Sequence, residues 1–180
     1  ELLGNKNGCT YGMGGSLSIH SEKINMFGHD GFLGSNVCIG VGACFSSKKP
    51  TIIFMGDSTI EEDYTLSSLG WASTKNLPIL FVVEDNNYAI LTEKKERRNW
   101  DASEVARGFK IDSFDIEDNP REIKKALDKN IFKKPMLVNI HTNRLTWHVG
   151  AGIDSGNKFD RLNNEINLLG ETARNEDLKI

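Results

Sequence analysis

Three apolar runs punctuate the chain, at residues 51–55 (TIIFM), 79–83 (ILFVV) and 136–141 (MLVNIH). The first two are continuous rather than alternating, the pattern of strands buried on both faces, and the third predicts a further strand. Between the first two runs, Glu61, Glu62 and Asp63 come early and Leu66, Leu69 and Ala72 follow at helical spacing. Acidic residues suit the positive end of a helix dipole, and Leu77-Pro78 stops the helix. Residues 35–47 mix apolar with small side chains. Gly40 and Gly42 would each weaken a helix there by about 1 kcal/mol, which close packing on a sheet or another subunit would offset. Asp101 with Glu104 predicts a capping box for a short helix. Residues 110–116 alternate weakly, as an edge strand would. Asn119-Pro120 opens a helix to about residue 129, with proline at the favoured first position. The last twenty residues are polar and helix-compatible.

Strand and helix therefore alternate. The expectation is an α/β fold, a parallel sheet covered by helices and joined by right-handed crossovers. At 180 residues the chain is long enough for one domain, residues 1–180, with a substantial core. It begins at Glu1 without an initiator methionine, as a piece of a longer chain would, incomplete at the N-terminus. Residues 151–180 read as a C-terminal extension.

A net charge of −3 favours neither nucleic acid nor an anionic membrane as partner. No apolar run is long enough to span a bilayer, and no signal peptide is evident. The one basic cluster, Lys94-Lys95 and Arg97-Arg98, reads as a solvated loop in preference to a phosphate clamp. Cys9, Cys38 and Cys44 are odd in number and form no C-x-x-C. They read as buried small side chains in a reduced, cytoplasmic protein rather than as metal ligands. Residues 4–16 hold five glycines, either a flexible leader or backbone wrapped around a ligand. Gly28, Gly31 and Gly34, among Phe27, Phe32 and Leu33, suggest a tight buried turn.

The chemistry concentrates where the first two runs end, at Gly56-Asp57-Ser58 and at Glu84-Asp85-Asn86-Asn87. Ligands of open parallel sheets bind outside the carboxyl ends of the strands. If these strands are neighbours, Asp57 and Asn86 stand one strand spacing apart and offer hard oxygen ligands for Mg²⁺. Ser58, Thr59 and the helix that follows would add N–H groups suited to a phosphate. By spacing alone, an ordinary turn with an Asx cap fits equally well.

From Gly56 to Asn87 the sequence resembles the thiamine-diphosphate fingerprint, G-D-G followed about thirty residues later by N-N. From about Gly8 to Gly150 it resembles the alpha subunit of the 2-oxo acid dehydrogenase family of pyruvate, branched-chain and acetoin type. Gly14-Gly15-Ser16, the stretch FGHDGFLGSN, Leu77-Pro78, Glu84-x-Asn86-x-Tyr88-Ala89, Thr142-x-Arg144 and His148 match that family's motifs in order and spacing.

The resemblance implies a thiamine-diphosphate-binding fold and the cofactors thiamine diphosphate and Mg²⁺. Asp57 and Asn86 would ligate the metal through side chains and Tyr88 through its carbonyl, with Asn87 the competing amide. Gly56, Ser58 and Thr59 would approach the diphosphate. Gly31 and Leu33 would offer backbone groups to the aminopyrimidine. Arg144 and His148 would lie near the diphosphate and the substrate entrance, His148 as the candidate catalytic group. A beta-type partner would supply the activating glutamate, making a hetero-oligomer that acts on a small carbonyl substrate. Ser58, Asp85 and Ser18 depart from the family's Gly, Asn and His. Ser67 and Gly70 depart from its E-A-L-N helix. With His148-Val149-Gly150 in the active-site loop, these leave two alternatives open: acyl transfer to another carbonyl, such as that of a modified sugar, or a decayed phosphate-binding or interaction module.

Overall fold

The computed structural model describes residues 1–28, 31–128, 131–146, 148 and 159–170. Four parallel strands form one sheet in the order β1-β2-β6-β5: β1 Thr51–Gly56, β2 Ile79–Asp85, β5 Asp112–Glu117 and β6 Met136–His141. Helices α1 (Ser35–Ser47), α2 (Asp63–Thr74), α4 (Ala102–Gly108) and α5 (Pro120–Leu127) lie between or before the strands. A short antiparallel hairpin, β3 (Tyr88–Ala89) with β4 (Thr92–Glu93), runs into the single-turn helix α3 (Lys94–Arg97). Helix α6 (Arg161–Leu169) follows. The α/β architecture and its parallel sheet are those the apolar runs predict, and β5 is an edge strand as expected.

Alternate residues of each strand face opposite layers. On one face Ile53, Met55, Ile79, Phe81, Val83 and Leu137 pack under α1, α2 and α4. On the other, Leu80, Val82, Met136, Val138 and Ile140 pack under Ile123 and Leu127 of α5. The central strands β2 and β6 are thus buried on both sides. Strand β1 is not. It is the other edge, and Ile52 and Phe54 are 48% and 60% exposed, because the helix on that face covers β5 and β6. Helix α1 sits close on β1 through Gly40, where a Cβ would come within 2.6 Å of Ile53. Gly42 meets nothing within 4 Å, so the second glycine makes no such contact.

Asn119 caps α5 by accepting from the Arg121 N–H at 2.9 Å, with Pro120 in the first turn. Asp101 starts α4 without a side-chain cap bond, so the expected capping box does not form. Only Cys44 is buried; Cys9, in the glycine-rich loop, and Cys38, whose sulfur accepts from the Ser68 hydroxyl of α2 at 3.3 Å, are exposed. The loop itself is not a loose leader. The backbone N–H groups of Thr10, Gly12 and Gly14 and the Thr10 hydroxyl all donate to the Glu1 carboxylate at 2.6–3.2 Å. Those bonds, led by the Thr10 hydroxyl, hold the Glu1 carboxyl down at about 2. Gly12 is needed there: its φ is +82°, and a Cβ would fall 2.4 Å from the Gly4 backbone.

Candidate functional site

Strands β1 and β2 pair to the end, with Gly56 opposite Glu84. One step further, Asp57 stands beside Asp85. Both continue the alternation that turns Met55 and Val83 toward α1 and α2, so both carboxylates point into the protein. Asp57 is 1% exposed and Asp85 3%. Two buried acids side by side need cations, and residues 94–98 bring them. Arg97 Nη2 donates to Asp57 Oδ2 at 2.6 Å, while Nη1 of the same guanidinium donates to Glu61. Lys94 Nζ donates to Asp85 Oδ2 at 2.6 Å. Arg98 Nε lies 3.3 Å from Glu61, and its guanidinium stacks 4.5 Å from the ring of Trp100, which packs on the core. Asp57, Glu61 and Asp85 thus interleave with Lys94, Arg97 and Arg98.

Lys94, Arg97 and Arg98 of the basic cluster are therefore inside, not in a solvated loop, while Lys95 is exposed as expected. The reason is tertiary. The β3–β4 hairpin turns the chain back, the Lys94 N–H donates to the Asn87 carbonyl at 2.9 Å, and α3 folds over the sheet end. Among the described residues, Arg97 Nε and all three nitrogens of Arg98 are buried without a hydrogen-bond acceptor.

Burial raises the Asp57 carboxyl above its ordinary value; the bond from Arg97 opposes this and the charge of Asp85 adds to it. Burial acts on Asp85 in the same sense, but the bonds from Lys94 and Asn139 outweigh it and hold that carboxyl below the usual range. Desolvation lowers the Arg98 guanidinium against the pull of Glu61. The network extends along the strand ends: Asn139 Nδ2 donates to Asp85 at 3.2 Å and to Asp115 at 2.7 Å, and His141 Nε2 lies 2.9 Å from Asp115.

The residues singled out by sequence fall into groups. Asn86 follows β2 directly, and its Oδ1 accepts from the Tyr88 N–H at 2.9 Å. Asp85 Oδ1 accepts from the Asn87 N–H at 3.0 Å, and Asn87 takes a left-handed φ of 70°. These successive Asx turns are the ordinary-turn reading of the motif, and they aim the Asn86 side chain along the hairpin, while Asp85 faces Asp57. Arg144 braces the same hairpin, donating to the Ile90 carbonyl at 2.6 Å with its guanidinium 5.1 Å from the Tyr88 ring. Asn86, Tyr88 and Arg144 thus form one unit at the end of β2.

At the end of β1, a Cβ on Gly56 would meet nothing within 4 Å, so the backbone there borders open space. Ser58 has an ordinary φ of −80°, so its replacement of glycine costs no backbone strain. Thr59 is buried in a 3₁₀ turn, Thr59–Glu61, and α2 begins only at Asp63. The helix expected straight after Asp57 is thus delayed, and the N–H groups of Glu61 and Glu62 are taken by the Ser58 and Thr59 carbonyls.

Gly31 is exposed and Leu33 is 47% exposed. The Leu33 carbonyl accepts from the Tyr64 hydroxyl, on the α1–α2 side. The tight buried turn expected there is thus largely open on its described positions. His148 is exposed. His29, Asp30, the side chain of Ser18, Val149, Gly150 and most of the 151–180 extension lie outside the described residues.

Among the described residues no group of three or more His, Cys, Asp or Glu suits a metal. With Asp85 taken up by Lys94 and Asn139, the donors at the strand ends are of another kind: the Asp57 carboxylate, one amide oxygen and backbone carbonyls. That set suits a hard cation such as Mg²⁺, which takes oxygen ligands and completes its shell with water or phosphate. The amide oxygen of Asn86 has a second lone pair besides the one given to Tyr88. The acceptor-poor Arg97 and Arg98 beside Asp57 suit an anionic group. The residues present therefore fit Mg²⁺ with a diphosphate. Sequence reading missed Lys94, Arg97, Arg98, Asp115, Asn139 and His141. The signal for Asn139 and His141 was present, as polar residues closing an otherwise apolar strand.

Comparison with known proteins bears on this geometry. The family model described as dehydrogenase E1 component matches residues 1–162. The pyruvate dehydrogenase E1 component subunit alpha of Rickettsia typhi is 26% identical over 162 residues, 82% of this chain and 49% of that protein. The chloroplastic subunit alpha-3 of the same component from Arabidopsis thaliana is 31% identical over 172 residues, 86% of this chain and 40% of that one. The chain thus spans about half the length of the curated relatives it matches. A crystal structure of transketolase from Campylobacter jejuni superposes with a TM-score of 0.59 at 20% identity, over 63% of this chain and 20% of that one, a likeness of fold. With a family match over nine-tenths of its length, the chain belongs to the dehydrogenase E1 component family.

Proposed function

We propose that this chain is the alpha-type, cofactor-holding part of a thiamine-diphosphate-dependent enzyme that decarboxylates a 2-oxo acid and passes on the acyl unit. The observation that carries the reading is the buried Asp57 carboxylate at the carboxyl end of β1, one strand over from the Asn86–Tyr88 turn that follows β2. Asp57, the Asn86 amide oxygen and the Tyr88 carbonyl would hold Mg²⁺. Gly56 lets the diphosphate approach the backbone, and Ser58 and Thr59 offer hydroxyls beside it. Arg144 keeps the hairpin in place through Ile90 and the Tyr88 ring. His148, Gly31 and Leu33 would reach the substrate side and the aminopyrimidine. When bound, thiamine diphosphate supplies an electron sink for cleaving a bond next to a carbonyl. The activating glutamate would come from a beta-type partner in a hetero-oligomer. A reducing, cytoplasmic setting is proposed on the three free cysteines.

Calorimetry tests this with thiamine diphosphate and Mg²⁺ on the chain together with its beta-type partner. Binding that Asp57→Ala abolishes is the expected result. Absence of binding to the assembled wild type would favour the decayed module.

A further inference from the structure

The carboxylate that the proposed function gives to Mg²⁺ already has a cation on it. Arg97 Nη2 lies 2.6 Å from Asp57 Oδ2, and the two side chains are 11% and 2% exposed. The other nitrogen of the same fork holds Glu61, at the 3₁₀ turn after β1. Arg97 closes α3, whose first residue, Lys94, is fixed to Asp85. The guanidinium is thus delivered to Asp57 by a short, doubly anchored segment.

We propose, resting on Asp57 as the cation ligand, that Arg97 sets the cation affinity of this site by competing with the metal for the Asp57 carboxylate. An N–H donor at 2.6 Å occupies Asp57 Oδ2, which leaves a small cation Oδ1 of the same carboxylate, directly beside the guanidinium. Two positive charges on one buried carboxylate also repel each other strongly at low dielectric. A divalent ion must therefore move the guanidinium off Asp57. Glu61 provides the place to which it retreats, since the fork already reaches that carboxylate. Without a cation, Arg97 neutralises a carboxylate that would otherwise be buried and unpaired; with one, it stands on Glu61 alone. The strand-end site then stays closed and charge-balanced until a divalent ion arrives.

The test is Mn²⁺ binding followed by the electron paramagnetic resonance of the free ion. The samples are wild type, Arg97→Gln, Arg97→Lys and Asp57→Ala, each checked for folding by circular dichroism. Arg97→Gln should bind Mn²⁺ about tenfold to a hundredfold more tightly than wild type, the range a charge-assisted hydrogen bond covers. Arg97→Lys keeps the charge but not the fork, so it should fall between them, and it decides the matter if the glutamine variant does not fold. Asp57→Ala should not bind. If wild type binds and neither Arg97 variant binds more tightly, the competition is refuted while Asp57 remains a cation ligand. If wild type and the Arg97 variants all fail to bind, the metal reading of Asp57 falls, and the competition with it.

Discussion

Replacing Asp85 with asparagine restores the residue type of the N-N motif and removes one charge from the buried cluster. The side chains of Asp85 and Lys94 are 1% and 20% exposed and meet at 2.6 Å. Asparagine keeps the shape and can still accept from the Asn87 N–H, but it leaves the ammonium without its counter-charge. Breaking a buried ion pair from one side costs about 3–5 kcal/mol. Lys94 is one-fifth exposed and can turn toward water, so the expected loss is about 2–3 kcal/mol. Urea unfolding of wild type, Asp85→Asn, Lys94→Met and the double variant measures it, with the midpoint shifting at unchanged slope. The double variant should recover most of the loss, giving a coupling of about 1.5–3 kcal/mol. A single variant within about 0.5 kcal/mol of wild type, or strict additivity in the cycle, would show that this pair does not hold the hairpin to the sheet.

Three further outcomes are expected. The Glu1 carboxyl titrates at about 2 in the folded loop, below its unfolded value near 4.3, so its stabilisation is full above the unfolded value and fades as pH falls through about 2. Protection of the Thr10, Gly12 and Gly14 amides, taken against their intrinsic exchange rates, should therefore fall progressively as pH drops from about 4.3 to about 2, and Glu1→Gln should lower it above that window. Gly34→Ala places a Cβ 2.7 Å from the Tyr64 ring and 2.9 Å from Thr65 Oγ1 at a φ of +83°. It should cost about 1–3 kcal/mol in thermal or urea unfolding. Phe81→Ala, in a fully buried position at the centre of β2, should cost about 3–5 kcal/mol by the same measurement.

The sheet was legible because β2 is a continuous apolar run and β6 begins as one, the pattern that strands covered on both faces favour. The same rule misread β1. Its run marks a strand, but whether a second helix layer reaches it depends on which strand becomes the edge, and no local pattern encodes that. At the site, Asp57 and the Asn86–Tyr88 turn were readable because both lie within a few residues of a strand end. Arg97 and Arg98 were not. As a charge run they look like any solvated loop, and their burial follows from a hairpin that folds back and from the Trp100 ring beneath Arg98. Asp85 looked like damage to a motif. Lys94, nine residues on, is its compensation, visible only once the chain has turned.

The open flank of β1 has a practical consequence. Its backbone faces outward with no neighbouring strand among the described residues, and Ile52 and Phe54 stand exposed beside it. Such an edge is a template on which another chain can add a strand. One of its carbonyls is already covered, since Asn36 Nδ2 donates to the Phe54 oxygen at 2.8 Å. The rest invites sheet-to-sheet growth in concentrated samples, which light scattering against dilution would register. A lysine at position 54 would place a charge on that flank, on the sheet face opposite the Asp57 carboxylate, and preparations carrying it should stay dispersed at concentrations where the native strand begins to stack.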